Sequence, residues 1–166
     1  KYYINHECDT YYTLRNDSHR YPPLNWLDDE NDDVRKHFIE FGIKPEDWFV
    51  CFFARDDNWD KVQYGKKSQH YFRNSDINNS IDSMKFIIDN GGYVIRLGKT
   101  SNNKLNYSHE RVIDLPFNSK RNEKSEFYFI KNCRYMISGG SGPADLCIIF
   151  DTPIAIVNFP FYDTTL

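Results

Sequence analysis

No pair of cysteines in this chain has C-x-x-C spacing. The four cysteines, Cys8, Cys51, Cys133 and Cys147, stand far apart, and no histidine lies at ligand spacing from a second one. Three of them sit in apolar contexts. Buried free thiols in a reducing compartment are the expectation, rather than a metal ribbon or a disulfide framework. Cys8 with His6 and Asp9 has metal-binding residue types, but three mixed residues near one end do not make a site. Basic excess is missing too: 21 Lys and Arg face 24 Asp and Glu, for a formal charge of -3. The basic residues are scattered, so no nucleic-acid partner is expected. No secretory signal stands out, and no apolar run is long enough for a membrane span. The longest, around residues 148–159, is broken by Asp151 and Pro153. G-x-S-x-G, G-x-x-x-x-G-K-[ST] and H-E-x-x-H are all absent. No G-x-G-x-x-G follows the first strand, which argues against a nicotinamide-dependent dehydrogenase.

What is present is a domain-sized, aromatic-rich chain. Its 166 residues include 13 Phe and 12 Tyr, and 40% of the residues are hydrophobic. Residues 1–27 are polar and Tyr-rich and end in Tyr21-Pro22-Pro23. Each residue before a proline avoids the helical region, so an extended linker is expected there. Residues 28–166 form the single domain. The sequence begins at Lys1, and the expectation is a fragment of a longer two-domain protein.

Helix and strand signals alternate through that domain. Residues 28–41 read as a helix, acidic at its start, with Val34, Phe38 and Phe41 on one face and Gly42 as its stop. Residues 48–54 are a continuous aromatic and β-branched run, as in a strand buried on both faces. A polar insertion follows at 56–76. Residues 77–90 read as a helix with Ile77, Ile81, Met84 and Ile88 inward. Strands are expected at 93–97, 111–115, 135–138 and 153–158. Helices are expected at 125–132, with Phe127 and Ile130 inward, and at 143–150. The link between the second and third strands lacks a helix. Such alternation implies an α/β, Rossmann-like parallel sheet of order 3-2-1-4-5 with helices on both faces. In that order the first and fourth strands meet where the winding reverses. Ligands bind outside the carboxyl ends of the strands at that point.

The stretch Ser138-Gly139-Gly140-Ser141-Gly142-Pro143 falls at that place. It leaves a strand and enters a helix, and Pro143 suits a first helical turn. Free N–H groups and a positive dipole end make an anion site, most often for phosphate. Arg55, after the first strand, faces it. Gly139, Gly140, Ser141, Gly142 and Arg55 are therefore the candidate diphosphate-binding residues. A surface arginine and a packing turn is the plainer reading. Arg96 can reach a phosphate or a sugar hydroxyl, or pair with Asp114. Phe117 can lie against a base, or simply cap the core. Asp145 can hold a sugar hydroxyl, or complement its helix dipole. His70, Arg73 and Asn74 lie in a loop able to close on a ligand, with His70 as a candidate acid or base. Asp56 and Asp57 can supply a base, or be a solvated turn.

These residues resemble the donor-binding, C-terminal half of GT-B glycosyltransferases, and more closely a family of bacterial glycosyltransferases of polysaccharide loci. That family's pattern has Arg-Asp after the first strand, Tyr-Arg-Asn, Gly-Tyr-x-Val-x-Arg-x-Gly, then a Ser-Gly turn before Pro-x-x-x-x-Asn. Here the elements are Arg55-Asp56, then Phe72-Arg73-Asn74 with Phe in place of Tyr. Gly92-Tyr93-Val94-Ile95-Arg96-Leu97-Gly98 follows, then Ser141-Gly142, and Pro153 through Asn158. The likeness covers residues 48–160. Residues 139–160 also resemble heptosyltransferases and sugar-nucleotide 2-epimerases.

The resemblance implies a nucleotide-diphospho-sugar held by Arg55, Gly139, Gly140 and Ser141, with transfer to a glycan or lipid-linked acceptor. It implies no cofactor and no obligatory metal. It implies a cytoplasmic protein, free or peripheral at the inner membrane. The catalytic base is left unassigned, because in this architecture it often comes from the other domain. A 2-epimerase, or a module that binds nucleotide or sugar without turnover, are the alternatives.

Overall fold

The computed structural model describes residues 28–65, 71–99, 101 and 103–158. The expectations for the linker at 1–27, Cys8 and His70 lie outside those residues. The elements in chain order are α1 (Asp28–Glu40), β1 (Phe49–Phe53), α2 (Asn58–Tyr64), α3 (Ile81–Asp89), β2 (Tyr93–Arg96), β3 (Val112–Asp114), α4 (Ser125–Asn132), β4 (Tyr135–Ser138), α5 (Gly142–Phe150) and β5 (Ile154–Ile156). Short 3-10 turns at Tyr71–Arg73, Ile77–Ser80 and Leu115–Phe117 join them.

The five strands form one sheet of order β3-β2-β1-β4-β5. Every pairing is parallel. The expected Rossmann-like α/β topology is therefore the observed one. Successive β1 side chains alternate between two cores, as a period of two requires. Phe49 and Cys51 join one cluster with Phe41, Phe129, Met136 and Cys147, under α1, α4 and α5. Val50 and Phe52 join the other with Met84, Ile87 and Val94, under α3. A central strand covered on both faces has no polar side to show, and its run of five apolar residues follows.

α1 ends as its sequence foretells. Gly42 takes a φ of 80° and Ile43 N–H returns to the Phe38 carbonyl at 3.0 Å. That closes the helix in a Schellman-type turn and buries Ile43 beneath it.

Four details depart from expectation. The insertion at 56–76 contains α2, closed by Gly65 in the left-handed region. Val62 and Tyr64 of this helix are exposed. In α4, Phe127 faces outward at 41% exposure, while Tyr128, Phe129 and Ile130 are buried. Toward the sheet α3 presents Met84 and Ile87, whereas Ile81 and Ile88 are only partly covered. The helix expected from 77 begins instead as a 3-10 turn, with the Asp76 side chain accepting Asn78 N–H at 2.9 Å. Among the described residues of 97–111 there is no helix, as the sequence implied. No helix among the described residues is long and apolar enough to cross a membrane.

Candidate functional site

Parallel strands send all their carboxyl ends to one edge, and β1 beside β4 brings two chain exits together there. Phe53 pairs with Ser138, so the chain leaves β1 toward Arg55 where it also leaves β4 toward the glycine turn. Between the β1 exit, the 71–77 segment and the β2 exit lies a cleft of about 440 Å³, lined by Arg55, Asp56, Asp57, Lys61, Asn74 and Arg96 among others.

Its floor is a hydrogen-bonded chain across three strand ends. Asp114, at the end of β3, pairs with Arg96 at 2.7 Å. The Arg96 side chain is only 4% exposed. Its other terminal nitrogen donates to Ser101 Oγ, which donates to Asp56 Oδ2 at 2.7 Å. Asp56 Oδ1 accepts the Asn58 N–H at 3.0 Å, an Asx turn that starts α2. Asp114 Oδ2 accepts the Leu105 N–H at 3.0 Å. A guanidinium this deeply buried needs its charge balanced and its donors filled, and Asp114 and Ser101 do both. Of the two roles open to Arg96 in the sequence, the ion pair with Asp114 is the one found. Arg96 still lines the cleft.

Residues 71–76 tie the two strand exits. Arg73 Nη2 donates to the Gly140 carbonyl, and Asn74 Nδ2 donates to Asp57 Oδ1. Ser75 N–H donates to the Arg55 carbonyl at 3.0 Å. The Asn74 Oδ1 is buried with no partner among the described residues.

The glycine turn itself has an unforced backbone. Gly139 and Gly142 avoid the left-handed region, and a Cβ on either would meet nothing closer than 3.6 Å. At Gly139 and Gly142, then, neither backbone conformation nor crowding demands glycine. Ser141 is extended, and its side chain makes no capping bond. Ala144 N–H returns to the Ser141 carbonyl at 2.8 Å, while Pro143 has no N–H to satisfy. The N–H of Gly142, in the first turn of α5, has no carbonyl one turn earlier in the helix.

The other candidates scatter. Phe117 is 40% exposed at the β3 end of the same edge, with Arg96 and Lys104 each within 6 Å of its ring. Asp145 lies exposed in the first turn of α5. The glycine turn does not line the cleft; its Gly140 carbonyl accepts from Arg73, the residue before the cleft-lining Asn74. Two cleft residues, Ser101 and Lys61, carry no signal in the sequence. Ser101 stands in a loop without periodicity, and Lys61 lies in a seven-residue helix within the polar insertion.

No family model matches this chain, and no curated protein or solved structure matches it.

Proposed function

We propose that this chain is the donor-binding domain of a GT-B-type glycosyltransferase, taking a nucleotide-diphospho-sugar and passing its sugar to a glycan or lipid-linked acceptor. One observation carries the reading. β1 and β4 are neighbours at the reversal of strand order, so Arg55 and the amino end of α5 share an edge.

Glycosyl transfer leaves negative charge on the departing diphosphate. A diphosphate at the amino end of α5 would meet the helix dipole and the Gly142 N–H, and Arg55, on the same sheet edge, would add a full positive charge. A helix terminus contributes about 0.3–1 kcal/mol at an exposed site and more when water is excluded. Binding needs no metal in this scheme, because the cations belong to the chain. A cytoplasmic location suits such a donor.

Calorimetric titration with UDP and GDP tests the reading. Binding to wild type, weakened about tenfold by Arg55→Ala, is the expected result for loss of one charge-assisted contact. Absence of any nucleotide or pyrophosphate binding would reject it. Release of labelled nucleoside diphosphate from a nucleotide sugar, with the sugar moved to an acceptor, separates transfer from 2-epimerisation.

A further inference from the structure

The cleft holds two consecutive carboxylates in different states. Asp56 is spent within the protein: Ser101 Oγ occupies one oxygen at 2.7 Å and Asn58 N–H the other at 3.0 Å. Ser101 is in turn fixed by the buried Arg96. Among the described residues, the Asp57 carboxylate receives one such bond, from Asn74 Nδ2. That bond fixes its orientation, and its second oxygen keeps its acceptor capacity. Asp57 lines the cleft together with Arg55 and Lys61.

We infer that this cleft binds a phosphorylated polyol, with Asp57 accepting a sugar hydroxyl and Arg55 and Lys61 facing the phosphate. The inference rests on the donor-binding reading above and names what part of the donor lies here. A bare anion gains nothing from Asp57, because like charges repel. A neutral sugar can accept a hydrogen bond from Lys61 but leaves the positive charges of Arg55 and Lys61 without a counter-charge. A molecule carrying both hydroxyl donors and negative charge matches both kinds of group. The cleft volume, about 440 Å³, lies in the range of small-molecule sites and suits a monosaccharide phosphate. The Asp114–Arg96–Ser101–Asp56 chain gives the site a rigid floor.

Two parts of a sugar nucleotide have this chemistry, the nucleoside's ribose phosphate and the transferred sugar's phosphate. The experiment titrates the full chain with inorganic phosphate, pyrophosphate, ribose 5-phosphate and glucose 1-phosphate. At least one sugar phosphate should bind about tenfold tighter than inorganic phosphate, as one added hydrogen bond to a carboxylate implies. Whichever of the two binds tighter identifies the part of the donor seated in the cleft. Asp57→Asn keeps the shape and a partner for Asn74 but removes the charge. It should erase that tenfold preference while leaving pyrophosphate affinity equal or higher. Sugar phosphates no tighter than phosphate, or a preference that survives Asp57→Asn with the protein still folded by circular dichroism, would overturn the inference. Failure of pyrophosphate to bind would strike at the diphosphate reading instead, so the two failures are told apart by which ligand is lost.

Discussion

Arg73 donates to the carbonyl of Gly140 across 67 positions of sequence. A trans peptide is planar, so with that carbonyl turned to Arg73 the next N–H, of Ser141, points the opposite way. Arg73 thus fixes which face of the glycine turn offers its donor. Its guanidinium is a positioning group for the proposed phosphate site, and Arg73→Ala should reduce pyrophosphate affinity about tenfold. Arg73→Lys keeps the charge but loses the fork, and should restore only part. Calorimetry on the three proteins checks this. Equal affinities would remove Arg73 from any such role.

Arg96 and Asp114 are a buried pair, and removing one leaves the other's charge stranded. Arg96→Leu should cost about 3 kcal/mol, at the low end for such breaks because Asp114 is partly exposed. The midpoint of urea unfolding reads this out. Replacing both, with Arg96→Leu and Asp114→Leu together, should recover part of the loss, since no lone charge then remains.

Gly92 meets Trp48 from behind. A Cβ there would stand 2.6 Å from the Trp48 ring and 2.9 Å from Ile87. The Arg134 guanidinium lies 4.9 Å from the centroid of that ring. Gly92→Ala should cost about 1–3 kcal/mol by overpacking. A thermal melt unchanged within about 1 °C, where such a loss should shift it several degrees, would contradict that contact.

Cys51 and Cys147 are fully buried thiols. Burial drives the Cys51 thiol well above its ordinary range, and it pushes Cys147 up to about 12. The thiolate is the reacting form, so iodoacetamide at pH 8 should leave both untouched in the native protein. In concentrated urea both should be alkylated. Peptide mass spectrometry reports each site, and native-state labelling of Cys147 at the unfolded rate would refute its burial.

His37 is 4% exposed among Phe41, Tyr128 and Phe129. Desolvation lowers its pKa, and Glu40 at 3.9 Å only partly opposes this. The folded value therefore lies below the unfolded one near 6.5, and the unfolded chain binds more protons between the two. This contribution is fully present above pH 6.5. It starts to disappear as pH drops through 6.5 and is lost once pH passes below the lowered folded value, at a slope of up to about 1.4 kcal/mol per pH unit. Urea unfolding from pH 7.5 to 5 should show that decline, and His37→Leu should flatten it.

The strands are the most legible part of the chain, because burial on both faces leaves a run such as 49–53 with nothing polar in it. α2 is hidden because it is only seven residues long and lies in a polar insertion, and its Val62 and Tyr64 are exposed. In α4, both Phe127 and Phe129 are apolar and helical, yet only packing decides which one turns to the core. Asp56 and Asp57 are chemically identical neighbours. Their different states come from Ser101 and Asn74, which are distant in sequence and brought in by crossover connections.

Period, turn chemistry and crossover handedness are local or general rules, and along this chain they dictate the alternation of elements, the strand order and the edge where the chain leaves β1 and β4. Folding in three dimensions was needed to pair Arg96 with Asp114, to set Arg73 on the glycine turn, and to leave one carboxylate of the pair with capacity for a ligand. Those outcomes depend on distances of a few ångströms between loops from different strands, and no spacing along the chain encodes them.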